Sequence, residues 1–187
     1  PLSTNTFSYG SVCLITFGVG LVIVVVFWLS NFLDAGAFRA AASYIFAISS
    51  AMFICSILAK LVGRPRPDTI AVCGDEGSYQ KCASVLDARG LTYQFSSFPN
   101  TESAEAMAAA VFISLYLAEL IAYFNNLTSL ISVIPVFSAF FVAASCIWDR
   151  KSHIDDVVVG LVIGTITGLV SFRTFKKNIK EKKLERR

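Results

Sequence analysis

The chain has 187 residues, of which 55% are hydrophobic and 16% charged, and its mean hydropathy is +0.65. Soluble domains carry about 25% charged residues, so this balance excludes an ordinary soluble globule, a disordered chain and a disulfide-dense secreted mini-protein. The net charge of +3 is unevenly placed: residues 173–187 hold eight of the sixteen Lys and Arg with only Glu181 and Glu185, so the basic balance marks a cationic tail on an apolar body and does not point to nucleic acid.

The chain opens at Pro1, and its only methionines are Met52 and Met107, which predicts a processed N-terminus or a fragment. No signal peptide is visible, because the first apolar stretch is too long and lacks a basic flank. Five stretches reach the roughly 20 apolar residues a membrane-crossing helix needs. The first, 11–33, is uncharged, and the second, 40–62, is charged only at Lys60. The third, 104–123, holds Glu105 and Glu119. Glu105 reads as a helix-start acid, while Glu119 lies deep enough to need a partner or a polar groove. The fourth, 127–148, is uncharged and carries Pro135, a predicted kink. In the fifth, 157–175, Gly160, Gly164 and Gly168 stand four apart, a spacing that lets helices approach closely in lipid. Lipid cannot satisfy exposed backbone polar groups, so all five are expected to be helices. The expected architecture is an all-α, polytopic bundle of five membrane helices over 1–175, followed by a basic tail, 176–187.

Cationic flanks face the cytoplasm, which places the tail inside and the N-terminus outside. The 63–103 loop and the 149–156 loop then share the outer side, and the links 34–39 and 124–126 lie inside. The sequon at Asn126 would face the cytoplasm and stay unglycosylated. The long outer loop carries Cys73 and Cys82, nine residues apart, a spacing that suggests a disulfide on an oxidising side. It has no His and no third Cys, so no zinc site is expected.

Ionisable groups beside membrane spans are functional candidates, and here they cluster at three helix ends on the outer side. These are Lys60-Leu61-Val62-Gly63-Arg64-Pro65-Arg66-Pro67-Asp68, then Ser97-Phe98-Pro99-Asn100-Thr101-Glu102-Ser103-Ala104, then Ser145-Cys146-Ile147-Trp148-Asp149-Arg150-Lys151-Ser152-His153-Ile154-Asp155-Asp156-Val157, followed by Gly160. The arrangement resembles the type 2 phosphatidic acid phosphatases, the lipid phosphate phosphatases. That family has three blocks in this order on one membrane face, approximately K-x6-R-P, P-S-G-H and S-R-x5-H-x3-D. The resemblance covers nearly the whole chain and implies a helical bundle whose first helix is missing here.

Arg66-Pro67 matches the first block, but the Lys position is Ala59, and Lys60 sits one residue, about 100° of helix, away. Pro99 matches the second block, yet Asn100-Thr101-Glu102 stands for S-G-H, so Glu102 replaces the acid histidine. Asp156, Val157 and Gly160 set the third register, which puts Ser152 at the nucleophile and Cys146 at the phosphate-binding arginine. His153 falls where several members carry a second, non-catalytic histidine. The non-catalytic plasticity-related proteins likewise keep that histidine and lose the first.

The family's chemistry is phosphoryl transfer to histidine, with an Asp orienting the nucleophile and a second histidine protonating the leaving oxygen. Ser152 without a base is a poor nucleophile, ionised Glu102 would repel phosphate, and Cys146 lacks the two-pronged guanidinium. The resemblance therefore implies a non-catalytic scaffold with a vestigial phosphate pocket at Lys60, Arg64, Arg66, Asn100, His153 and Asp156. No cofactor is expected, and the expected partners are membrane lipids and other membrane subunits. Arg64 and Arg66 either plug the pocket through Asp68, Asp149 or Glu102, or still hold an anion. Asp155 and Asp156 also read as helix N-terminal acids. The alternative is an active lipid phosphatase using His153 as a displaced nucleophile; a small channel or transporter fits poorly, because interior charges are few. The expected membrane is in the secretory pathway, at the plasma membrane or an organellar inner membrane.

Overall fold

The computed structural model describes residues 35–74, 77–121 and 130–185. Their helices are α1 (Ala35–Val62), α2 (Thr69–Cys73), α3 (Tyr79–Val85), α4 (Ala88–Gln94), α5 (Thr101–Ile121), α6 (Ile134–Trp148) and α7 (Ile154–Glu185). No strand occurs among the described residues. The expected span at 11–33, the link 124–126 and the sequon at Asn126 lie outside them.

Helix α1 is rich in alanine and carries no charge between Arg39 and Lys60. It ends where Gly63 adopts φ +63 and donates its N–H to the Ala59 carbonyl at 3.0 Å. A left-handed glycine followed by prolines is a strong helix stop. The expected 34–39 link is corrected, because α1 already runs from Ala35.

Helix α5 is the axis of the bundle. Residues 102–110 are all buried, and α1, α6 and α7 pack around them. A helix shielded by neighbours need not be uniformly apolar, which is why Glu102, Ser103 and Glu105 are accommodated here. Glu105 is fully buried in the second turn, so the reading of it as an interfacial acid is corrected. Helices α5 and α7 run parallel and very close. A Cβ at Gly160, Gly164 or Gly168 would meet, in turn, the Asn100, Ala104 and Ala108 carbonyls. The four-residue glycine spacing thus does what it predicts.

At the end remote from the polar clusters, Tyr44, Phe112, Tyr116, Phe172 and Phe175 interlock with ring centroids 5.8–6.4 Å apart. Glu119 is ion-paired there with Lys176 of α7, which supplies the partner its depth demands. Phe38–Val62 and Ile154–Lys177 are long and apolar enough to cross a membrane. The fourth expected span differs. Leu130 and Ile131 are helical, but a turn at Ser132-Val133 follows, and α6 begins at Ile134. Pro135 lies in its first turn, where its missing N–H costs nothing, so it starts a helix and does not kink one.

The 63–103 loop is built. Cys73 and Cys82 are disulfide-bonded and tie α2 to α3. Ser78 and Asp87 cap α3 and α4 by accepting from the Lys81 and Gly90 N–H groups. Arg66 N–H donates to the Gln94 carbonyl at 2.9 Å and Ser97 N–H to the Arg64 carbonyl at 3.0 Å, so the loop folds back over the end of α1.

Candidate functional site

Three helix ends meet beneath this loop: the C-terminus of α1, the N-terminus of α5 and the turn from α6 to α7. Each is shaped by local chemistry. Asn100 caps α5, its Oδ1 accepting from Ser103 N–H at 2.6 Å. Helix α6 ends in a Schellman turn. Arg150, at φ +55, donates its N–H to Ile147, and Lys151 N–H donates to Cys146, both at 3.0 Å. That turn delivers the Lys151 side chain into the protein, where it is 5% exposed. At the start of α7, the Asp156 carboxylate reaches back to the His153 N–H at 3.3 Å, as in a capping box.

The fully buried Asp156 organises one half of the site. Arg64 Nη1 contacts its Oδ1 at 2.6 Å, Ser97 Oγ donates to its Oδ2, and its backbone carbonyl accepts Asn100 N–H at 3.0 Å. Arg64 also pairs with Asp155. The Asp155 hydrogen bond pushes the Arg64 guanidinium pKa above its already high ordinary value.

The second half surrounds Glu102, which is 3% exposed. Its Oε2 accepts from Cys146 Sγ at 3.3 Å and lies 3.8 Å from Lys151 Nζ. Lys151 Nζ is also 3.7 Å from Asp149. Asn100 Nδ2 donates to Ser152 Oγ at 2.7 Å. Glu102, Cys146 and Ser152, which were expected at the family's histidine and arginine positions, therefore occupy one buried polar cluster with Asn100 and Lys151.

Arg66 takes none of the three expected acids. Its Nε donates to the Tyr93 carbonyl at 2.9 Å and its Nη1 to the Lys151 carbonyl at 2.8 Å, with the guanidinium 3.8 Å above the Tyr93 ring. Burial raises the Tyr93 phenol pKa above its usual value. Asp68 accepts from Gln94 Nε2 at 2.7 Å. The salt-bridged plug expected from Arg64 and Arg66 with Asp68, Asp149 or Glu102 is thus corrected: Arg64 holds the α7 acids, and Lys151 serves Glu102 and Asp149. Sequence reasoning placed Lys151 and Ser97 in the polar clusters without giving either a role, and it missed Tyr93. The run Asp149-Arg150-Lys151 in a chain this apolar was the available signal for the first.

Lys60 is exposed, one turn beyond Ser56, whereas Ala59 is buried. His153 is half-buried, and its backbone meets Asp156. Against the cluster lies a cleft of about 590 Å³, whose lining includes Ser56, Arg66, Arg89, Thr92, Tyr93, Ser96, Asn100, Thr101 and Glu102. Among the described residues, no group of three or more His, Cys, Asp or Glu is placed to hold a metal ion.

A model of the PAP2 superfamily matches residues 40–180. The chain is 28% identical to lipid phosphate phosphatase 1 of Arabidopsis thaliana, over 95% of this chain and 57% of that one. It is 29% identical to probable diacylglycerol pyrophosphate phosphatase 1 of Schizosaccharomyces pombe, over 63% and 47%. It is 25% identical to phospholipid phosphatase 2 of Bos taurus, over 77% and 53%. The chain spans about half the length of the curated relatives it matches. No solved structure matches.

Proposed function

The chain belongs to the PAP2 superfamily, and we propose that it is a non-catalytic, multi-pass member that binds a phospholipid headgroup and serves as an accessory subunit in its membrane. One observation carries this reading: Glu102, Cys146 and Ser152 stand where the family's chemistry needs an acid histidine, an arginine and a nucleophilic histidine, and they are locked into contacts of 2.7–3.8 Å with Asn100 and Lys151. A serine hydroxyl that accepts from an amide has no base to activate it. Glu102 is held by Cys146 and Lys151 and is not the imidazole that the family uses to protonate the leaving group. Losing one acid–base group commonly costs about 10²–10⁴ in rate, and here both are replaced together with the cation that would stabilise the phosphoryl oxygens. Arg66 and Arg89 in the cleft leave the means to hold a phosphate.

The topology in this reading has five spans, with residues 11–33 as the first, the cleft on the outer side and the tail at the cytoplasmic or matrix face. The disulfide suits an oxidising outer compartment. The secretory pathway, the plasma membrane and an organellar inner membrane all meet these requirements.

The test is purified chain in mixed micelles with phosphatidate. Expected are phosphate release no greater than a protein-free blank and saturable retention of the lipid. Release abolished by His153→Ala would replace this reading with its rival, an active lipid phosphatase using His153. Against the rival, both Asp156 oxygens are engaged, by Arg64, Ser97 and the His153 backbone, and not by its imidazole.

A further inference from the structure

Glu102 Oε2 is satisfied by Cys146 and lies near Lys151, but Oε1 is buried and has no hydrogen-bond partner among the described residues. A buried acceptor without a donor keeps its full desolvation penalty, and more so when it is charged. Glu102 is among the residues that line the cleft, so a ligand entering the cleft is the group that can supply the donor. Lys151 cannot do so fully, because its ammonium is shared with Asp149 at 3.7 Å.

Other lining residues carry the complementary charge. Arg89, Thr92 and Tyr93 lie at i, i+3 and i+4 on α4, so they share the face turned to the cleft. Arg66 is fixed beside them by the Tyr93 and Lys151 carbonyls, contacts that use Nε and Nη1 and leave Nη2 uncommitted. The lining thus offers two guanidinium groups, since the Thr92 and Ser96 hydroxyls already donate to the Ala88 and Thr92 carbonyls, and Glu102 holds an unpaired carboxylate oxygen buried beneath it. A simple phosphate answers only the first. A phosphate ester that ends in a primary ammonium answers both.

We propose that the cleft selects a phosphate–ammonium zwitterion of the phosphoethanolamine type, with the phosphate held by Arg66 and Arg89 and the ammonium donating to Glu102 Oε1. This rests on the reading of the cleft as a headgroup site. It gives Glu102 a role: the substitution that removes an acid histidine creates an ammonium acceptor.

The test is binding of short-chain phosphatidylethanolamine, phosphatidylcholine and phosphatidate, and of free phosphoethanolamine, to the full detergent-solubilised chain by titration calorimetry. Phosphatidylcholine keeps the phosphate and the positive charge but has no N–H. Phosphatidylethanolamine is expected to bind at least tenfold more tightly. Glu102→Gln should bring the two within about threefold, while Arg89→Ala should weaken both equally. The wild-type comparison decides the matter even if the Glu102 variant does not fold. Free phosphoethanolamine binding as tightly as the lipid makes the headgroup the ligand; weaker binding makes it the lipid. Equal wild-type affinity for the ethanolamine and choline lipids, or tighter binding of phosphatidate, overturns the inference and leaves the headgroup site standing. No binding of any phospholipid overturns both.

Discussion

The glycine ridge of α7 gives the sharpest quantitative test of the fold, because its consequences differ from one glycine to the next. A Cβ at Gly164 would lie 2.3 Å from the Ala104 carbonyl oxygen, 2.9 Å from Met107 Cβ and 3.0 Å from Ala108 N. Carbon–oxygen contacts between packed backbones are tolerated at about 3.3 Å, so α5 and α7 must part by about 1 Å. The obstacle is backbone of the central helix, so no side-chain rotation relieves it. Overpacking of this kind costs about 1–3 kcal/mol, and the size of the overlap puts Gly164→Ala at the upper end. Alanine returns about 1 kcal/mol of helix propensity. The net expectation is a loss of about 2 kcal/mol, a factor of about thirty in the unfolding equilibrium. At Gly168 the nearest atom is the Ala108 carbonyl oxygen at 2.9 Å, followed by Val111 side-chain carbons at 3.1 and 3.2 Å. The shortfall is only about 0.4 Å, the overpacking cost falls to about 1 kcal/mol, and propensity cancels it. Unfolding by dodecyl sulfate titration in mixed micelles should therefore show Gly164→Ala destabilised and Gly168→Ala close to wild type. If Gly164→Ala is as stable as the parent, the close parallel packing of α5 and α7 is wrong.

Three further outcomes follow from the polar end of the bundle. Ser97→Ala removes a buried donor to the Asp156 carboxylate and should cost about 1.5–3 kcal/mol in the same assay; a change below 0.5 would mean that the hydroxyl does not carry the contact. Arg150→Gly relieves a left-handed residue in the Schellman turn and should stabilise by about 1 kcal/mol, whereas destabilisation would show that the turn is not formed. The nine-residue separation of Cys73 and Cys82 closes a short loop worth about 2–3 kcal/mol by chain entropy. Reduction should accordingly speed tryptic cleavage at Lys81, and unchanged cleavage would count against the bond.

The amino-acid sequence reveals the helices more readily than the contacts. Apolar length and the Gly160-Gly164-Gly168 spacing are local signals, and among the described residues the helices they announce are present, the fourth of them shortened to Ile134–Trp148. The start of α6 was hidden because Pro135 has two meanings, kink inside a helix and opening of one, and apolarity on both sides does not decide between them. The site was legible as three helix ends, since each block lies beside an apolar stretch. Its pairings were not. Arg66 bonds to carbonyls 27 and 85 residues away, and carbonyls carry no residue-type signature. Lys151 was hidden for a related reason: the Schellman turn that directs it inward usually advertises itself with glycine, and here the left-handed position holds Arg150.

The loss of chemistry in this reading is not the absence of one residue but a rewired charge balance, and this makes restoration predictable in stages. A phosphate pocket needs cations around it and a neutral or protonated acid. Here Ala59 and Cys146 stand at cation positions, and Lys151 is drawn to Glu102 and Asp149. Changing Ser152→His alone leaves Glu102 and Cys146 in place and should give no phosphate release. Glu102→His, Cys146→Arg and Ser152→His together remove the carboxylate, return the guanidinium and free Lys151 from one of its two acids. That triple variant should release phosphate from phosphatidate above the blank. Adding Ala59→Lys, at a buried position on the inner face of α1, should raise the rate again, because positioned cations act on the phosphoryl oxygens that gain charge. A triple variant that keeps its fold and its Cys73–Cys82 bond yet stays inert, with and without Ala59→Lys, would show that these positions are not aligned with the family's reacting groups.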